Sequence, residues 1–151
     1  MEKYKVKHIY NLLNFDLESL VNQSKGEGFR FVERLIIDYK NGRNTFNHFG
    51  EGLFGVFNEE DILVAIGGLN KDPFSNEPHI GRLRRFYVSK EYRRIGIGSL
   101  LLKRIIDEAK GYYKILVLHT DFEQADEFYS SIGFSKGKLY LNSSHFMELK
   151  N

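Results

Sequence analysis

A mixed α/β fold is predicted by three features of the sequence. Short β-type apolar stretches, such as Ile62 to Leu69, are interleaved with stretches whose apolar residues recur every three or four positions, such as Phe31 to Tyr39. The joints between them are short and carry Gly, Asn or Pro. One β-type stretch, Leu83 to Val88, runs through a basic, glycine-rich turn, Arg93 to Ser99, straight into an amphipathic helix. With 151 residues the chain is expected to form a single domain, residues 1–151, burying about 68–70% of its unfolded surface without disulfide or metal staples.

The elements follow in order. Tyr4 to Ile9 alternates weakly and reads as a first strand. Asp16 to Val21 has helical spacing at Leu17, Leu20 and Val21, and Gly26 and Gly28 interrupt. Phe31, Val32, Leu35, Ile36 and Tyr39 share one helical face, stopped by Asn41-Gly42. Gly52 to Phe57 and Ile62 to Leu69 form a hairpin around the charged turn Asn58 to Asp61. Asn70 to His79, with Pro73 and Pro78, is expected to be a loop beside the active site. After the basic turn, Ile97, Leu101, Ile105 and Ala109 make the buried stripe of a helix ended by Gly111. Lys114 to His119 is the next strand. Asp121 and Gln124 resemble a capping box for a helix whose inner stripe is Ala125, Phe128, Tyr129 and Ile132. Lys138 to Leu141 and His145 to Leu149 close the chain as a hairpin around Asn142-Ser143-Ser144.

The turn from Arg93 to Ser99 carries the strongest functional signal. A strand that passes through glycines into a helix gathers backbone N–H groups at the positive end of the helix dipole, here beside two guanidinium groups. Such a turn suits a pyrophosphate. Gly96 and Gly98 lack Cβ, so a ligand can approach the main chain. A Rossmann fingerprint would need a third glycine where Leu101 stands, and the Gly-Lys-Ser/Thr of a P-loop is absent.

Val88, Arg93, Gly96 and Gly98 fit V-x-x-x-x-R/Q-x-x-G-x-G/A in register, and Ala125, Phe128, Tyr129, Gly133 and Phe134 fit A-x-x-(L/F)-Y-x-x-x-G-F downstream. The chain thereby resembles the GNAT superfamily of N-acetyltransferases over roughly its second half. The resemblance implies a central, mostly antiparallel sheet splayed between strands four and five and flanked by helices. It implies acetyl-coenzyme A as co-substrate, its pantetheine arm held by the main chain of Phe86, Tyr87 and Val88 and its pyrophosphate by Arg93, Arg94, Ile95, Gly96, Ile97, Gly98 and Ser99. It further implies that Tyr129 is the general acid that protonates the leaving thiolate. The acceptor would be a primary amine on a small molecule or peptide, acetylated by direct attack in a ternary complex.

Two positions depart from the family pattern. Several relatives carry a Glu base on strand four, but Arg82 and Arg84 alternate there with Phe86 and Val88, on the face where that carboxylate would sit. The base is then sought among Glu77, His79, His119 and Asp121. Phe122 stands where many relatives place an Asn that binds the coenzyme arm, and it can offer no such bond. Arg82 and Arg84 are also candidates to bind a carboxylate or phosphate on the acceptor, against the competing expectation that they pair with Glu51 or Glu77.

Composition narrows the alternatives. The formal charge of +2 is too mild for a nucleic-acid partner, and the basic residues Arg82, Arg84, Arg85, Arg93 and Arg94 are expected to cluster near the turn. Cys is absent, excluding an acyl-cysteine route. His8, His48, His79, His119 and His145 lack metal-ligand spacing, so no metal is expected. No stretch reads as a signal peptide or membrane span, which suggests a cytoplasmic protein; the resemblance allows a homodimer. The alternatives are a non-catalytic coenzyme A sensor or regulator and an anion or nucleic-acid binding module.

Overall fold

The computed structural model describes residues 3–150. Seven strands, β1 (Lys5–His8), β2 (Gly52–Phe57), β3 (Leu63–Lys71), β4 (Ile80–Val88), β5 (Ile115–Leu118), β6 (Ser135–Lys136) and β7 (His145–Glu148), form one sheet in the order β1-β2-β3-β4-β5-β7-β6. Four helices cover its faces: α1 (Glu18–Gly26) and α2 (Phe31–Lys40) on one, α3 (Ile97–Lys110) and α4 (Glu123–Ile132) on the other. β2 and β3 are therefore buried almost throughout, as expected for strands covered on both sides. Among the described residues no helix is long and apolar enough to cross a membrane.

Most elements lie where periodicity places them, and the differences have local causes. α1 begins only at Glu18, whose N–H donates to Asp16 Oδ1 at 3.0 Å. Asn70 and Lys71 continue β3, so the expected loop is shorter. Asp121 does not cap α4: Phe122 occupies that position without a side-chain hydrogen bond, and Asp121 pairs with His119 instead. Lys138 to Leu141 is not a strand, because the two-residue β6 already pairs with β7 and leaves residues 137–144 as a long connection.

Two features of β4 shape the site. It pairs with β5 in parallel only at Ile80↔Ile115, Gly81↔Leu116 and Arg82↔Val117, then runs on alone to Val88. A slot therefore opens from Leu83 onward. On its other edge β4 matches Arg84 to Gly68 and Tyr87 to Ile66, so Arg85 and Phe86 together oppose the single residue Gly67. This is a β-bulge, with Arg85 at φ 59°.

The bulge corrects the expected alternation. Leu83, Phe86 and Val88 pack against the α3 and α4 face, whereas Tyr87 joins the core beneath α1 and α2. Arg84 opposes Gly68, whose missing side chain makes room for Phe46 of that second core, and cross-strand neighbours share a face. Arg82 and Arg84 thus lie on the opposite side of the sheet from Phe86 and Val88.

Candidate active site

The turn after β4 has the geometry of an anion cradle. Gly96 has φ 91° and precedes α3, where the first N–H to bond back is that of Leu100, to the Gly96 carbonyl at 3.0 Å. The N–H groups of Gly96, Ile97, Gly98 and Ser99 have no protein acceptor among the described residues. They converge at the positive end of a 14-residue helix. Gly98 has a different reason: a Cβ there would lie 3.2 Å from Phe128 Cζ and 3.6 Å from Val88 Cγ2. Its absence seats the first turn of α3 against α4 and β4. Gly96→Val, by contrast, meets a backbone conformation that costs an L-residue about 1–2 kcal/mol. In the folded variant we expect acetyl-coenzyme A affinity to fall at least tenfold by calorimetry; unchanged affinity would place the ligand elsewhere.

The arginines do not gather at the cradle as the sequence suggests. Arg93 turns back, its Nε donating to the Val88 carbonyl at 3.0 Å and its two terminal nitrogens to Glu27 at 2.7 and 2.6 Å. Tyr87 donates its hydroxyl to the same carboxylate. Arg93 therefore ties the end of α1 to the end of β4 and is neutralised there. Arg94, at φ 64°, is exposed and makes no ion pair among the described residues. It remains a free charge beside the cradle.

Hydrogen bonding from Arg93 holds the Glu27 carboxyl down at about 2. A depressed carboxyl adds stability that is present above its unfolded value near 4.5 and is lost as pH falls through the folded value. Acid unfolding followed by circular dichroism is therefore expected to show an advantage of the parent over Glu27→Gln near neutrality that shrinks from pH about 4.5 and vanishes by pH about 2. A difference independent of pH would assign the effect to packing.

At the inner end of the slot stands Tyr129. It is 8% exposed, with ring centroids 6.1 Å from Phe86 across the gap, 5.3 Å from Phe128 and 5.8 Å from Phe134. Burial pushes its hydroxyl above the ordinary tyrosine range, so it stays protonated at neutral pH. The hydroxyl makes no hydrogen bond to protein, yet no sealed polar side-chain atom lacks a partner among the described residues, so its oxygen borders open space. Asp126, one turn earlier on α4, anchors that helix. Its Oδ1 lies 2.6 Å from His145 Nε2, and His145 Nδ1 lies 2.7 Å from Ser144 Oγ, which accepts the Thr120 N–H at 2.9 Å. Because an ionised carboxylate can only accept, His145 Nε2–H donates to Asp126.

The base candidates separate. Glu77 and His79 pair with each other at 3.3 Å at the start of β4, the far end from the cradle, where the His79 carbonyl still accepts N–H bonds from Lys114 and Ile115 at 2.8 and 3.2 Å. The strands are closed there, so the loop before β4 flanks the end of that strand opposite the cradle. His119 and Asp121, 3.2 Å apart, follow β5 at the open end of the slot. Leu116 and Leu118 point into the core beneath α3, so alternation carries His119 to the other face, with Arg82 and Arg84.

Arg82 is committed to the fold. Its Nε donates to Asp72 Oδ1 at 2.8 Å, and its terminal nitrogens donate to the carbonyls of Asn142 and Leu141 at 2.8 and 2.9 Å. Neither Glu51 nor Glu77 is its partner. Phe122, the residue in place of the family's Asn, is exposed and meets Phe29 edge-on at 4.6 Å, joining the α1–α2 connection to the start of α4.

Sequence reasoning missed Glu27, Asp72, Asp126 and the bulge. Arg84-Arg85, two adjacent polar positions inside an alternating strand, is the one signal that could have located the bulge. The acidic partners carry no local signal, since each meets its cation only through the fold.

The profile of the acetyltransferase (GNAT) family matches residues 9–134. Among solved structures, a proposed acetyltransferase from Exiguobacterium sp. 255-15 shares 31% identity, with 96% of this chain and 93% of that one covered and a TM-score of 0.87. A GNAT-family acetyltransferase from Staphylococcus aureus Mu50 shares 22% identity over 97% of this chain and 99% of its own, with a TM-score of 0.74. A proposed acetyltransferase from Salmonella typhimurium, solved with its cofactor acetyl-CoA, shares the fold at a TM-score of 0.71 and 12% identity, with 99% and 95% covered.

Proposed function

The chain belongs to the acetyltransferase (GNAT) family, and on that premise we propose that it transfers acetyl from acetyl-coenzyme A to a primary amine by direct attack in a ternary complex. The observation that carries this reading is the slot between β4 and β5, which runs from the free N–H groups at Gly96 to Ser99 inward to Tyr129. The pyrophosphate suits the cradle, with Arg94 adding charge. The pantetheine arm fits alongside Phe86 to Val88 as an added strand, donors and acceptors meeting main chain that β5 leaves unpaired.

In this mechanism the amine nitrogen attacks the thioester carbon, the C–N bond forms, and collapse of the tetrahedral intermediate breaks the C–S bond. Tyr129 passes its proton to the departing sulfur. An amine with a free pKa near ~10 costs about 4 kcal/mol to deprotonate at neutral pH, and His119, held by Asp121, takes that proton through water. Mass-spectrometric detection of acetylated product, with release of the coenzyme thiol, over a panel of amines tests the proposal. Tight coenzyme binding without turnover on any amine would overturn it in favour of a sensor.

A further inference from the structure

We propose that the acceptor amine carries an anionic group, a carboxylate or phosphate monoester, and that Arg84 binds it. The inference rests on the acetyltransferase reading and names the substrate class of that same site. Arg84 lies two residues beyond the last β4–β5 pair, Arg82↔Val117, so it stands where the slot opens. It is on the α2 side of the sheet, opposite Phe86, and therefore faces the route by which an acceptor would reach a thioester lying between β4 and β5.

Its neighbours leave it free. Arg82 is held by Asp72. Arg85 takes Asp38 of α2 at 3.6 Å. Glu51, the expected partner, is held elsewhere: its Oε2 accepts from Asn70 Nδ2 at 2.9 Å and the Lys71 N–H at 3.2 Å, and its Oε1 from the His48 N–H at 3.4 Å. Glu77 is occupied with His79 at the far end of the strand. Among the described residues, Arg84 makes no hydrogen bond or ion pair, although it is partly buried.

A guanidinium in that state favours a planar or tetrahedral oxyanion over water, because its fork of donors can make two parallel charge-assisted bonds. Burial lowers its proton affinity, as does the nearby charge of Arg82, and an anion would relieve both effects. Arg34 adds positive charge near Arg85, while the remaining acids near Arg84, Asp38, Asp72 and Glu51, already have partners. Of these groups Arg84 is the partly buried cation that makes no ion pair among the described residues; Arg34, which makes none either, is exposed, and Glu51 is held by neutral donors alone.

The test compares matched amines: glycine against glycinamide, and phosphoethanolamine against ethanolamine. The anionic member of at least one pair is expected to be acetylated with kcat/KM roughly tenfold to a hundredfold higher. In Arg84→Gln this ratio falls towards one, chiefly through KM of the anionic member, and Arg84→Lys retains part of it. Equal use of both members by the parent, or a ratio unchanged in Arg84→Gln, would overturn the inference while leaving the acetyltransferase reading intact. If no amine is turned over, calorimetric titration of the acetyl-coenzyme A complex with the same four compounds still decides: selective binding of the anions, lost in Arg84→Gln, supports the anion site, and its absence sinks it.

Discussion

Tyr129→Phe is expected to lower kcat by roughly 10²- to 10³-fold while coenzyme affinity stays close to that of the parent. The ring fills the space between Phe86, Phe128 and Phe134, and phenylalanine keeps that packing, so only the proton is removed. A coenzyme thiol with a pKa near the ~8.5 of cysteine leaves tolerably well unprotonated, which sets the loss at the lower end of the usual range for a general acid. Burial raises the Tyr129 hydroxyl above its ordinary 10.0. The acid form is therefore present throughout the neutral and mildly alkaline range, and any fall in rate from its ionisation lies above pH about 10. A decline in kcat between pH 7 and 9 would thus report another group. Full activity in folded Tyr129→Phe would return the residue to core packing.

Arg82→Ala is expected to cost about 3–5 kcal/mol of stability, because it leaves Asp72 buried and uncompensated. The side chains of this pair are 4% and 1% exposed. The same change frees the carbonyls of Leu141 and Asn142 and removes the guanidinium stacked 4.8 Å over Phe74. The loops after β3 and before β7 would lose their common anchor. Urea unfolding measures the loss, with a fall in Tm of roughly 6–20 °C for that range. Arg82→Met combined with Asp72→Leu should recover much of it, since an apolar pair avoids the desolvation of both charges. A cost below 1 kcal/mol for the single change would mean that Asp72 reaches water.

The contrast between Arg82 and Arg84 shows where linear reading stops. Both arginines stood as candidate ligands for an acceptor, and nothing in their spacing separates them. One pairs with Asp72 across the β3–β4 connection, and the other makes no ion pair among the described residues. Likewise Arg93 and Arg94 look equivalent beside the glycines, yet Glu27, far back in the chain, neutralises only the first.

What the sequence determined by itself was everything carried by short-range pattern: short apolar β-type runs bounded by turn residues for β2 to β5, helical spacing for α2 to α4, and the strand–glycine–helix turn whose N–H groups stay open. These follow from backbone and side-chain geometry within a few residues, so they are legible without a fold. The tertiary structure alone decided which face each β4 residue occupies, because the bulge at Arg85 and Phe86 exists only in register with Gly67. It also decided which charges are satisfied, because electrostatic partners are chosen by distance in space and by burial, and neither is encoded in separation along the chain.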